Sequence, residues 1–125
     1  MIRSILCIAA GGALGSVSRW LLPKLFQGTF LSVFPLGTMT VNLLGCLLIG
    51  LFYGIADRGT GIQEGWKLFL TVGFCGGFTT FSTFCNESLT LLRAHQLWQA
   101  TAYMGGSVFL GIITVYAGLQ IIRLF

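Results

Sequence analysis

Four apolar runs occupy most of this chain and leave little else to fold; each is close to the ~20 residues that carry a helix across a bilayer core. The first covers residues 2–22 and is closed by Pro23. The second, residues 36–56, is interrupted only by Asn42 and small hydroxyls and ends at Asp57-Arg58-Gly59. The third begins near Trp66 and continues to about residue 92. After the polar link Arg93-Ala94-His95-Gln96, the fourth runs from Trp98 to about residue 122. Trp20, Trp66 and Trp98 all stand at run ends, where amphipathic rings favour the headgroup level. With 55% hydrophobic and 8% charged residues among 125, polar surface is too scarce to cover a soluble globule. The expectation is an all-α membrane protein: one domain of four transmembrane helices over residues 1–125. Arg3 precedes an apolar stretch without a small-residue cleavage site, so the first run reads as a retained span rather than a signal peptide.

An even number of spans puts both termini on one side. Arg3, Arg58, Lys67 and Arg123 then fall on that side, and Arg19, Lys24 and Arg93 fall on the other. Lys/Arg asymmetry sets orientation, and a near-equal split gives no strong reason to choose one. Insertion both ways, with oppositely oriented copies pairing as an antiparallel homodimer, is the natural consequence. Chance scarcity of charge in short loops is the plainer alternative. The net charge of +4 is dispersed along loops and span ends, so it does not point to nucleic acid.

Catalytic chemistry finds little material. Cys7, Cys46, Cys75 and Cys85 lie within spans and never in a CxxC spacing, which reads as buried small apolar residues. His95 sits in a polar link, where a solvated side chain is expected. Asp57, Glu64 and Glu87 are the only carboxylates, and two of them share one loop. No enzymatic function is expected. Glu87 alone lies within a span, where an ionisable residue is a functional candidate by default; capping or pairing with a basic residue is the alternative.

The least ordinary stretch is GFCGGFTTFSTF, residues 73–84. Glycines in the first, second and fourth runs suit close helix packing in lipid. Gly73, Gly76 and Gly77 instead lower helix propensity at mid-span, by about 1 kcal/mol each relative to Ala. A third helix broken near its centre is expected. Backbone freed there is tolerated only where protein, water or an ion satisfies it, and converging carbonyls near residues 76–79 suit a small hard cation such as Na⁺. After the break, Thr80 and Thr83 share a helix face, as do Phe81 and Phe84, by their i, i+3 spacing. Packing phenylalanines and hydroxyls bonded to their own backbone would explain any one of these residues more readily than the run.

The segments GGALGSVSRW (residues 11–20), GTMTVNLLGCLLIG (37–50) and GFCGGFTTFSTF (73–84) resemble, in order, the signature motifs of the fluoride channel family, also called Fluc or CrcB. The resemblance implies a dual-topology antiparallel homodimer with two pores in the bacterial inner membrane, passive fluoride export, and a central structural Na⁺. It assigns the fluoride pathway to Asn42, Phe81, Ser82, Thr83 and Phe84, with Tyr103 and Ser107 aligned by distance in the fourth span. The Na⁺-binding carbonyls fall on Gly76 and Thr79. Arg19 becomes a vestibule residue that attracts anions, against a plain role as an interfacial anchor. Gly111 stands where some relatives carry a hydroxyl.

The residue chemistry agrees. A pore for a small, strongly hydrated anion must replace water with donors and avoid a fixed charge that would trap the ion. Asn42 offers an amide, Ser82 and Thr83 offer hydroxyls, and phenyl edges carry the positive side of the ring quadrupole. A small proton-coupled multidrug transporter is the competing class, but residues 2–22 hold no carboxylate for proton coupling. A non-transporting membrane scaffold would leave the polar track without a purpose.

Overall fold

A computed structural model describes residues 1–26, 35–59 and 61–125. Among these the order is α1 (Ile2–Leu21), a 3-10 turn (Leu22–Phe26), α2 (Leu36–Asp57), α3 (Glu64–Leu68), a π-helical stretch (Phe69–Cys75), α4 (Gly76–Phe78), α5 (Phe81–Arg93) and α6 (Leu97–Leu124). Four segments are long and apolar enough to cross a membrane: Ile2–Leu25, Leu36–Asp57, Glu64–Arg93 and Leu97–Leu124. They coincide with the four apolar runs of the sequence to within a few residues. Pro23 does not stop the first one outright; without an N–H to donate, it tightens the chain into the 3-10 turn.

Glycines decide which spans touch. α1 packs on the π-helical stretch and α2 on α6. A Cβ added at Gly15 would overlap the Phe74 carbonyl oxygen and stand 2.9 Å from the Phe78 amide nitrogen. One added at Gly118 would lie 2.5 Å from the Leu47 carbonyl oxygen. Backbones therefore meet directly, as expected in lipid, where packing rather than the hydrophobic effect joins helices. Val41, Ala100 and Tyr103 are fully buried behind these contacts, while Ile5, Leu14, Phe109 and Ile112 face outward. Trp20, Trp66 and Trp98 are exposed at span ends, as an interfacial belt requires.

α5 is held mainly on its α6 side, and Phe81, Ser82, Cys85, Asn86 and Leu89 form its exposed face. This corrects the expectation of four buried thiols: Cys75 is buried, Cys7 and Cys46 are partly so, and Cys85 is exposed because none of the described residues covers that side of α5. The α5–α6 link is a tight helix stop. The His95 amide donates to the Leu92 carbonyl at 3.1 Å and the Gln96 amide to the Leu91 carbonyl at 3.0 Å, the paired bonds of a Schellman turn. His95 itself takes φ +59°, a left-handed conformation that glycine adopts at least cost.

Two expectations follow from these geometries. Gly15→Ala should destabilise the protein by about 1–3 kcal/mol through forced backbone displacement, read as a lower temperature at which the detergent-solubilised protein loses monodispersity. His95→Gly should raise that temperature slightly, by an amount equivalent to about 0.5 kcal/mol, the relieved left-handed strain less the extra backbone entropy of glycine.

Candidate functional site at the third span

The third span leaves helical geometry at two residues. Thr79 adopts φ −83°, ψ 157° and Thr80 φ −147°, ψ 119°. In a continuous helix the Thr80 amide would donate to the Gly76 carbonyl. Here it donates to Asn42 Oδ1 at 2.8 Å, and Asn42 Nδ2 returns a bond to the Thr80 carbonyl at 3.1 Å. One side chain from α2 thus satisfies both polar groups of an extended residue at mid-span, where water is not available to do so.

The glycines play a different part from the one read in the sequence. Gly76 and Gly77 are helical and Gly73 lies in the π-helical stretch. A Cβ at Gly77 would come 2.6 Å from the Gly12 carbonyl oxygen, and one at Gly73 2.8 Å from that of Ile8. Two of these glycines therefore admit α1, and the extended residues are the threonines that follow. Thr80 and Thr83 do not share a helix face. Thr80 is the N-cap of α5: its Oγ1 accepts from the Thr83 amide at 3.3 Å and donates to Thr83 Oγ1 at 3.1 Å.

Phe81 and Phe84 lie on one side of α5 with ring centroids 6.0 Å apart, tilted by 35°. Phe84 in turn meets the Tyr103 ring at 5.1 Å. Phe81 is 78% exposed and Tyr103 fully buried, so the aromatic row runs from the protein's surface to its interior. Ser82 is exposed, with its Oγ 3.5 Å from Thr80 Oγ1. A cavity of about 350 Å³ opens beside this row; Asn42, Gly76, Thr79, Phe81, Phe84 and Ser107 are among its lining residues. Ser107 Oγ is buried without a hydrogen-bond partner among the described residues. Ser82, Thr83, Tyr103 and Arg19 do not line the cavity.

Two connections have no signature in the sequence. Glu87 Oε1 accepts from the Thr38 hydroxyl at 2.7 Å and Oε2 from the Tyr103 hydroxyl at 2.9 Å. The intramembrane carboxylate is held by hydroxyls from the second and fourth spans, so neither capping nor a basic partner describes it. The carboxylate is recognisable in the sequence as unusual within a span; its pairing with Tyr103 needed the packing of α5 on α6. Arg19, in the last turn of α1, donates through Nε to the Gly77 carbonyl at 3.1 Å. Its head group turns toward the third span rather than only outward to an interface.

A four-segment bundle with a tethered, extended Thr-Thr pair in its third span, a phenylalanine row and a partly buried carboxylate defines a small multi-pass integral membrane protein with an internal polar track. Residues 6–119 match the model of the family described as CrcB-like protein, Camphor Resistance (CrcB), and the chain belongs to that family. Among similar proteins, a "Fluoride-specific ion channel FluC" of Flavobacterium psychrophilum is 42% identical over 122 residues, covering 98% of each chain. Proteins of the same name from Phocaeicola vulgatus and Nitrobacter winogradskyi are 48% and 44% identical. They cover 94% and 95% of this chain and 97% and 94% of their own.

Replacing Asn42 by leucine keeps bulk and strips both bonds from Thr80. Each buried backbone group so orphaned should cost about 1–3 kcal/mol. Hydrogen–deuterium exchange should show the Thr80 amide and the first turn of α5 losing protection in Asn42→Leu, with α1 unaffected; unchanged exchange at Thr80 would mean that the tether does not hold the extended residues.

Proposed function

We propose that the protein is a fluoride-selective channel, not an enzyme, that lets fluoride leave the cytoplasm passively across the bacterial inner membrane. The observation that carries this reading is the near full-length similarity to proteins named as fluoride-specific ion channels. The chemistry of the third span supports it. Fluoride gives up water only for other donors, and the track offers donors without a charged side chain among them. Asn42 uses one amide hydrogen on Thr80 and keeps the second for an ion. Thr83 accepts the hydroxyl of Thr80 and keeps its own hydrogen. Ser107 brings to the cavity a hydroxyl with no partner among the described residues, and Ser82 an exposed one. The edges of Phe81 and Phe84 add weak electropositive contacts. Tyr103 acts one step removed, orienting Phe84 and Glu87, and Arg19 draws anions toward the vestibule.

The working unit is taken to be an antiparallel homodimer of the four-span domain. The exposed Phe81 ring and the uncovered face of α5 favour this, together with the nearly equal distribution of basic residues. A central Na⁺ would be held by the carbonyls of Gly76 and Thr79. Both residues line the cavity, and the amide that would otherwise bond the Gly76 carbonyl is diverted to Asn42. Two carbonyls make half a cage; a second, two-fold related copy doubles the oxygen count toward what a hard cation requires. The bound ion would supply a fixed positive charge that holds the two breaks together.

Liposomes loaded with fluoride and reconstituted with the protein should empty rapidly without a pH gradient and retain chloride; equal efflux of both anions overturns the proposal. Phe81→Ile or Phe84→Ile should leave assembly intact, because volume-conserving apolar swaps cost under ~1.5 kcal/mol. Each should slow fluoride efflux by roughly tenfold or more, the rate equivalent of losing an aromatic edge contact of about 1.5 kcal/mol. Parent-like flux in both would make the rings packing residues. Removal of Na⁺ should abolish flux and loosen the dimer on a sizing column; indifference to Na⁺ would mean that the freed carbonyls are satisfied otherwise.

A further inference from the structure

Two adjoining cavities lie where the first and third spans begin, apart from the cavity at the third-span break. One, of about 340 Å³, is lined by Arg3, Ser4, Gln63, Glu64 and Gly65. The other, of about 150 Å³, is lined by Arg3, Cys7, Gln63, Gly65, Trp66 and Phe69. They share Arg3, Gln63 and Gly65, so together they form one cleft with a polar mouth and an apolar recess. Gly65 keeps the two parts continuous: a Cβ there would meet Cys7 Sγ at 3.3 Å and Arg3 Nε at 4.0 Å. Trp66, edge-on to Phe69 at 5.6 Å, is 59% exposed and walls the recess, as an indole at headgroup depth does.

The mouth carries one charge of each sign. Among the described residues, neither the Arg3 guanidinium nor the Glu64 carboxylate has a hydrogen-bond or ion-pair partner. We propose that this cleft binds one aminophospholipid of the bilayer, its phosphodiester on Arg3, its primary ammonium on Glu64 and the start of an acyl chain in the recess beside Cys7, Trp66 and Phe69. The planar guanidinium suits a phosphodiester through two parallel N–H···O bonds. A primary ammonium donates three hydrogens to a carboxylate that has no partner among the described residues. A choline headgroup has no N–H to offer, and a phosphatidylglycerol headgroup ends in an uncharged glycerol that leaves Glu64 without a cation. The preferred lipid is therefore the one whose headgroup repeats the order of charges in the cleft.

The test is native mass spectrometry of the intact, delipidated protein in detergent with phosphatidylethanolamine, phosphatidylcholine and phosphatidylglycerol of matched chains at equal concentration. The parent should retain phosphatidylethanolamine over each of the others by roughly fivefold, the ratio expected of one charge-assisted bond in a partly exposed site. Glu64→Gln should bring the ethanolamine and choline lipids to parity, and Arg3→Gln should weaken all three. Gly65→Leu, which fills the cleft and leaves both charges in place, should remove the preference. Arg3 and Glu64 are exposed, so their neutral variants retain the fold and read the site alone. Equal retention of the three lipids by the parent, or an unchanged preference in Glu64→Gln, overturns the assignment. Displacement of the lipid by an equal concentration of free phosphorylethanolamine would overturn the membrane source, because the recess would then contribute nothing.

Discussion

The two hydrogen bonds between Asn42 and Thr80 are the interaction on which the rest of the third span depends. Extended backbone at mid-membrane has no water to turn to, and an unsatisfied amide or carbonyl there costs several kcal/mol. A single carboxamide from α2 supplies the acceptor and the donor that Thr80 lacks. With that residue satisfied, α5 can start afresh, capped by the Thr80 hydroxyl. The phenylalanine row then takes its direction from α5 rather than from α4. An aspartate at position 42 could accept but not donate, and a leucine could do neither.

Close helix packing supplies the frame within which that tether works. Gly11, Gly15, Gly73 and Gly77 bring α1 against the first half of the third span backbone to backbone. Gly50 and Gly118 do the same for α2 and α6. Among the described residues the second half of the third span has no such partner on its outer side and presents Phe81, Ser82 and Cys85. The same span is thus locked at one end and bare at the other, and the change occurs at Thr79 and Thr80. Seven residues of π-helical winding, Phe69–Cys75, precede that point; this rare geometry gathers at functional sites.

Much of this was legible in the sequence because the bilayer imposes a coarse rule. Span lengths, the tryptophan ends and a departure from regular helix within residues 73–84 follow from apolar length and from the oddity of glycines and hydroxyls in a span. The side-by-side placement of Phe81 and Phe84 follows from helical spacing. What was misread is instructive. Glycine at mid-span lowers helix propensity, but it also permits contact between backbones, and at Gly73 and Gly77 the second effect decides the structure. The i, i+3 spacing put Thr80 on one helix face with Thr83, because capping depends on where a helix starts, which spacing alone does not give. The partners of Glu87 and Arg19 are set by tertiary packing between segments 16 to 58 residues apart, and a residue pattern along one span carries no trace of them.

The Glu87 contacts also bear on the order in which the chain is made. Synthesis runs from the N-terminus, so Glu87 leaves the ribosome ahead of Tyr103. Its span is the least apolar of the four, and a carboxylate in it raises the cost of staying there. Thr38, on the preceding span, is already present to donate to Oε1, whereas the donor for Oε2 arrives only with α6. The short Schellman link makes that delay brief, because α6 turns back onto α5 almost as soon as α5 is complete. The fourth span thus completes the pair of hydroxyl donors that lets the third carry a carboxylate.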